Sequence, residues 1–126
     1  MQDYRGLRVY HAAMRLAREA YVVAAAMPVE ERFKLASQLR SAAMSVGSNI
    51  AEGCGRDTPR DMCCFLDRAL GSANEVESQV SHVLRVGMAP PRPSRTARQT
   101  AQCTQRMLTA LVRKIRRDNG LDQDGA

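Results

Sequence analysis

Three short clusters of helix-breaking residues divide this chain into four segments of helical periodicity, and that division constrains the fold more than any other feature. The breaks fall at Pro28, at Gly53-Cys54-Gly55-Arg56-Asp57, and at Met88-Ala89-Pro90-Pro91-Arg92-Pro93. Advancing about 100° per residue predicts a first helix over residues 7–26, with Leu7, Val9, Tyr10, Ala13, Leu16, Ala17, Ala20, Tyr21 and Ala24 on one broad face and Arg8, His11, Arg15, Arg18 and Glu19 on the other. A second helix is predicted over 29–52, opened by Pro28 with Glu30 and Glu31 near its positive end, and carrying a stripe of Leu35, Ala36, Leu39, Ala42, Ala43, Val46 and Ile50. Gly47, inside that stripe, marks either a kink or a close helix crossing. A third is predicted over 58–86, with Thr58 as N-cap, Pro59 behind it, and Gly87 as C-cap. A fourth is predicted over 94–117, with Ser94 as N-cap and Ala97, Thr100, Thr104, Leu108, Leu111 and Ile115 facing inward. Residues 118–126 read as a frayed polar tail. Short connections make sequential helices antiparallel neighbours, so the expected fold is all-α: one up-down four-helix bundle occupying residues 1–126.

Composition agrees with helix-on-helix packing. Aromatics are 4% of the 126 residues and Trp is absent, so the core must come from Ala, Leu, Val and Met. The first residues lack a signal-peptide apolar region, and no apolar run reaches the roughly 18–20 residues needed to span a bilayer. The expectation is a soluble, cytoplasmic protein with no membrane partner. Cys54, Cys63, Cys64 and Cys103 form no C-x-x-C pair and read as reduced helix residues.

The formal net charge of +6 is unevenly placed. Between Val86 and Arg117 stand Arg92, Arg95, Arg98, Arg106, Arg113, Lys114, Arg116 and Arg117, with no Asp or Glu. On a helix, Arg95, Arg98, Gln102, Arg106, Arg113, Arg116 and Arg117 fall within about 100° of arc, opposite the apolar face. The predicted product is a guanidinium ridge about 30 Å long, a shape and charge suited to phosphate oxygens. The competing reading is a solvated face, but such faces usually mix signs. No RRM aromatic motif, zinc finger or clear helix-turn-helix accompanies the ridge, so base-specific reading is not expected.

Nothing in the sequence assembles a catalytic or metal centre. His11 and His82 lie on polar helix faces without a ligand at i+4. Glu75 and Glu77, two apart, point to different sides of a helix. Gly53-x-Gly55 lacks the strand of a phosphate loop. The expectation is a non-enzyme with no cofactor and no metal. The unusual stretch is Gly47–Gly53, where Ser48, Asn49, Glu52 and Gly53 read as a buried polar cluster fixing the end of the second helix.

That stretch also carries a resemblance. Gln38-Leu39-Arg40, Ser45, Ser48-Asn49-Ile50-Ala51-Glu52-Gly53 and Gly55-Arg56 resemble the four-helix-bundle proteins named after the intervening sequence of 23S ribosomal RNA. The similarity extends to Leu7-x-Val9-Tyr10 and Pro28-x-Glu30-Glu31-Arg32 upstream, and to Phe65-Leu66, Ala69, Gly71-Ser72, Glu75, Glu77, Gln79 and Gly87 downstream. It covers about residues 3–88; the fourth helix agrees only in position and length. The resemblance implies a bundle, a ring-like homopentamer and no established enzymatic activity. The family is also similar in fold to the accessory proteins of diversity-generating retroelements, basic pentamers that engage a reverse transcriptase and its RNA or DNA. This chain departs from the common pattern at Gly47, where Pro is frequent, and in its Arg-rich fourth helix. The surplus apolar arc of the first helix, with Tyr10, Met14 and Tyr21, fits burial against another subunit. The functional expectation is an oligomeric basic scaffold binding RNA or DNA, beside a reverse transcriptase. The alternative is a protein–protein interaction module of the same family with no nucleic-acid role.

Overall fold

A computed structural model describes residues 3–121. Among them are four α-helices and no strand: α1 Arg8–Ala25, α2 Leu35–Cys54, α3 Pro59–Val86 and α4 Pro91–Asp118. Extensive packing joins α1 to α2, α2 to α3, α3 to α4 and α4 back to α1, so the four helices close around one core. Leu16, Leu39, Ile50, Leu66 and Leu108 are its largest fully buried side chains, with Val23, Val46, Val76, Val80 and Val83 between them. Alanines at 13, 20, 43, 69, 73, 97 and 101 fill the narrow places, which lets the backbones approach closely.

The helix ends follow from local chemistry. The Thr58 hydroxyl accepts the Asp61 N–H at 3.1 Å, capping α3. Gly87, at φ 72°, takes the left-handed turn that closes α3, and both its N–H and that of Met88 reach the Val83 carbonyl. Before α1, the carboxylate of Asp3 accepts the Arg5 N–H at 3.0 Å and holds a short 3-10 turn, Tyr4–Gly6, that the sequence reading left out.

Four boundaries differ from expectation. The second helix does not run from 29: Val29–Glu31 form a separate 3-10 turn, and Lys34, at φ −116° and ψ −110°, breaks the chain before α2. The Arg40 guanidinium donates to the Arg32 carbonyl at 3.2 Å and so satisfies a group that a continuous helix would have paired internally. Glu30 and Glu31 therefore charge that turn rather than α2. At its far end α2 continues through Gly53 to Cys54, because the helix there packs too closely on α3 to admit a side chain. A Cβ on Gly53 would sit 3.1 Å from both the Met62 carbonyl oxygen and the Phe65 Cβ. The proline-rich segment is not a loop, since Pro91 and Pro93 occupy the first turn of α4, where N–H groups have no intrahelical partner. Ser94 consequently lies inside the helix, buried, with its hydroxyl donating to the Pro90 carbonyl at 2.9 Å. Of the predicted tail, Asp118 ends α4 and residues 119–121 close it, the Leu121 N–H reaching the Arg116 carbonyl at 2.7 Å; residues 122–126 lie outside the described residues.

Gly47 does not interrupt α2. It lies under the Tyr10 ring, whose Cε1 would stand 3.6 Å from a Cβ there, so it marks a close crossing with α1 rather than a kink.

Candidate nucleic-acid interface

The packing of α4 decides which of its cations face water. Its buried residues are Ser94, Ala97, Ala101, Thr104, Leu108 and Val112. Ala101 and Val112 replace Thr100, Leu111 and Ile115, which are only half-buried, so the helix is rolled by roughly 40° from the predicted orientation. The roll splits the predicted ridge. Arg92, Arg95, Arg106, Arg113 and Arg117 point outward and are exposed, whereas Arg98 and Arg116 turn toward α3 and are half-buried.

Acidic residues distant in sequence meet the second group. The Arg116 guanidinium donates to the Asp67 carboxylate of α3 at 2.8 Å. Arg98 lies near Glu77 of α3, whose carboxylate already accepts from Gln102 and Gln105 of α4, each at 2.8 Å. Those two amide donors, with help from Arg98, hold the Glu77 carboxyl below its ordinary range. At the end of α4, Asp118 stands one residue beyond the acid-free stretch. Lys114 donates to it at 2.7 Å, and Arg117 approaches it at 4.0 Å. The expected unneutralised ridge of eight cations is thus corrected to four: among the described residues, Arg92, Arg95, Arg106 and Arg113 have no carboxylate partner. The outward row spans about 37 Å from Arg92 to Arg117 at 1.5 Å per residue. It is interrupted between Arg95 and Arg106, where Gln99 and Cys103 occupy it.

The second-helix motif is not one buried cluster. Ser48 is exposed and donates to the Met44 carbonyl at 3.1 Å. Asn49 is half-buried and donates to the Ser45 carbonyl at 2.9 Å and its hydroxyl at 3.0 Å. Ser72 of α3 donates to that same hydroxyl at 2.9 Å, so Ser45 and Asn49 tie α2 to α3. Glu52 is exposed and pairs with Arg56 at 3.0 Å, while Gly53 is the close-approach position described above. Arg56 and Arg68 in turn stand 4.4 and 4.5 Å from the Phe65 ring centroid, pinning it at the α2–α3 corner.

On the α1–α2 side the surface has the opposite chemistry. Met14, Tyr21 and Met44 are 51, 44 and 51% exposed, and with Tyr10 and Ala17 they form an apolar patch over the seam of the two helices. Cys54 and Cys63 are buried, which pushes both thiols up, and Cys64 and Cys103 are exposed. No group of three or more His, Cys, Asp or Glu capable of holding a metal ion occurs among the described residues, and no helix among them is long and apolar enough to cross a membrane.

No curated protein matches the chain. A family model described as 23S rRNA-intervening sequence protein matches residues 5–110, from the turn before α1 into the middle of α4. It stops short of Arg113, Lys114, Arg116 and Arg117, so the lower part of the ridge lies beyond the matched region. No enzyme family is indicated. With the matched region covering all of α1, α2 and α3 and most of the bundle's core, the chain belongs to the 23S rRNA-intervening sequence protein family.

Proposed function

We propose that this protein is a non-enzymatic scaffold that binds RNA or DNA through its phosphate backbone, using the outward row of α4. The observation that carries this reading is the set of exposed, carboxylate-free guanidiniums at Arg92, Arg95, Arg106 and Arg113. Arginine stays charged at any physiological pH and pairs bidentately with phosphate. Surface ion pairs such as Arg116–Asp67 hold a cation in place at an energy of about 0–1 kcal/mol, so the paired residues contribute less to an incoming phosphate than the free ones. The test is binding of generic RNA and DNA over a salt series, for the intact protein and for a variant with those four arginines changed to Ala. Affinity that falls steeply with salt and is lost in the variant supports the reading; no binding at low salt overturns it.

The patch at Met14, Tyr21 and Met44 favours a second element of the same proposal, self-assembly. A homopentameric ring, the arrangement implied by the resemblance, would repeat each α4 row by symmetry and multiply weak phosphate contacts. Sedimentation of the intact protein reads the subunit number, and a monomer at micromolar concentration would remove this element. A reverse transcriptase as client rests on the resemblance alone, and co-purification with one encoded nearby is its test. The cytoplasm is the compartment this reading requires.

A further inference from the structure

The α4 row has a neighbour that a scan of one helix does not reveal. Helix α1 makes its two extensive interfaces with α2 and α4. Tyr10, Met14 and Ala17 line the groove shared with Met44, Gly47 and Ser48, so that flank of α1 faces α2. The other flank, on the far side of the buried stripe Val9, Ala13, Leu16, Ala20 and Val23, carries Arg8, Ala12, Arg15 and Glu19 and must face α4. The same reasoning orients α4. Gln102, Gln105 and Arg116 reach α3, so the flank bearing Met107, Leu111 and Lys114 faces α1. Arg8 and Arg15 are exposed and have no carboxylate partner among the described residues. The one acid on that α1 flank is Glu19, half-buried, with one carboxylate oxygen enclosed and without a hydrogen-bond partner.

We infer that Arg8 and Arg15 belong to the same polyanion surface as Arg106 and Arg113, making it a two-helix face across the α1–α4 seam that reads phosphates and not bases. This inference rests on the reading of α4 as a nucleic-acid contact and extends it in two ways. The surface is broader than one ridge, so a phosphate backbone is met from two parallel lines of charge. It is also devoid of stacking groups. Helix α4 contains no aromatic residue, and the aromatics of α1, Tyr10 and Tyr21, lie toward α2. Proteins that grip single strands gain about 1–3 kcal/mol per base from aromatic stacking; this face has no means of doing so. A duplex, which offers phosphates on its outside and hides its bases, loses nothing by that absence.

The experiment compares the intact protein with Arg8→Ala/Arg15→Ala and with a charge-matched control, Lys34→Ala/Arg85→Ala, whose positions lie at the start of α2 and on the outer side of α3. The probes are a 20-base-pair DNA duplex and a 20-nucleotide oligothymidine, titrated across salt, with helicity checked by circular dichroism. The α1 variant is expected to weaken duplex binding at least about tenfold and to lower the salt slope by about 2, one unit per lost phosphate contact. The control is expected to keep the slope. Equal loss in both pairs, which means attraction by net charge alone, overturns the inference. So does an unchanged α1 variant when Arg106→Ala/Arg113→Ala weakens binding, a result that leaves the α4 reading standing. Oligothymidine bound tenfold tighter than duplex overturns the phosphate-only part. Absence of binding by the intact protein at low salt removes the α4 reading itself.

Discussion

The two sides of this bundle are built from the same kind of helix and present opposite chemistry. The α1–α2 side leaves Met14, Tyr21 and Met44 half in solvent, with small residues Ala17, Gly47 and Ser48 between them. The α4 side leaves Arg92, Arg95, Arg106 and Arg113 in solvent with no acid paired to them. Both sides rest on one core, so neither can be explained by stability: exposed thioethers and unpaired guanidiniums each contribute little to folding. The difference teaches that the surface is divided into an apolar face suited to protein contact and a cationic face suited to phosphates, with the α2–α3 and α3–α4 seams closed by hydrogen bonds between them.

Removing the shared core breaks both faces at once. Leu66→Ala, at a fully buried position, should cost about 3 kcal/mol, read by denaturant unfolding, and should weaken assembly and nucleic-acid binding together. Changes on one face should separate them. Arg92→Ala/Arg95→Ala/Arg106→Ala/Arg113→Ala should lower affinity for generic RNA by about 100-fold or more and the salt slope by about 4, leaving the sedimentation coefficient unchanged. Met14→Glu/Met44→Glu should do the reverse, abolishing self-assembly at unchanged helicity and weakening binding only through lost multivalency. If the arginine variant dissociates, or the methionine variant binds as tightly as before while monomeric, the division of labour is wrong.

The closed α3–α4 seam gives a smaller, pH-dependent effect. Glu77 has its carboxyl held below the ordinary range by the Gln105 and Gln102 amides. Its ionised form is the one stabilised, so this contribution is fully present above the unfolded carboxylate range near pH 4–5 and is lost as pH falls through the lower folded value. Glu77→Gln should therefore reduce thermal stability at pH 7 by more than it does at pH 3. The smallest expected change is Arg116→Ala: its exposed pair with Asp67 is worth about 0–1 kcal/mol, and its loss should weaken RNA binding less than Arg113→Ala does. Equal losses would restore a continuous ridge.

Some of this arrangement is legible in the sequence and some is not. Thr58-Pro59 and Gly87 mark the ends of α3 because capping and left-handed turns are decided within a few residues. Pro91 and Pro93 mislead for an equally local reason, since proline fits a loop and a first helical turn alike. The break at Lys34 has no residue signature, and it is held by Arg40, eight positions beyond Arg32. The candidate interface divides the same way. That the last helix is cationic and its partner stripe apolar is plain from spacing. That Arg116 meets Asp67, 49 positions earlier, is not.

By itself the sequence determined the four amphipathic helices, their order, the family and the crowding of positive charge into residues 92–117. Periodicity and capping act over one or two turns, and charge can be counted without coordinates. Only the tertiary structure decided which of those charges remain free, that Arg8 and Arg15 stand on the flank facing α4, and that Met14 and Met44 share a face. Each depends on the rotation of one helix against another. That rotation is set by how side-chain volumes such as Ala101 and Val112 fill a common core, a property of all four segments at once.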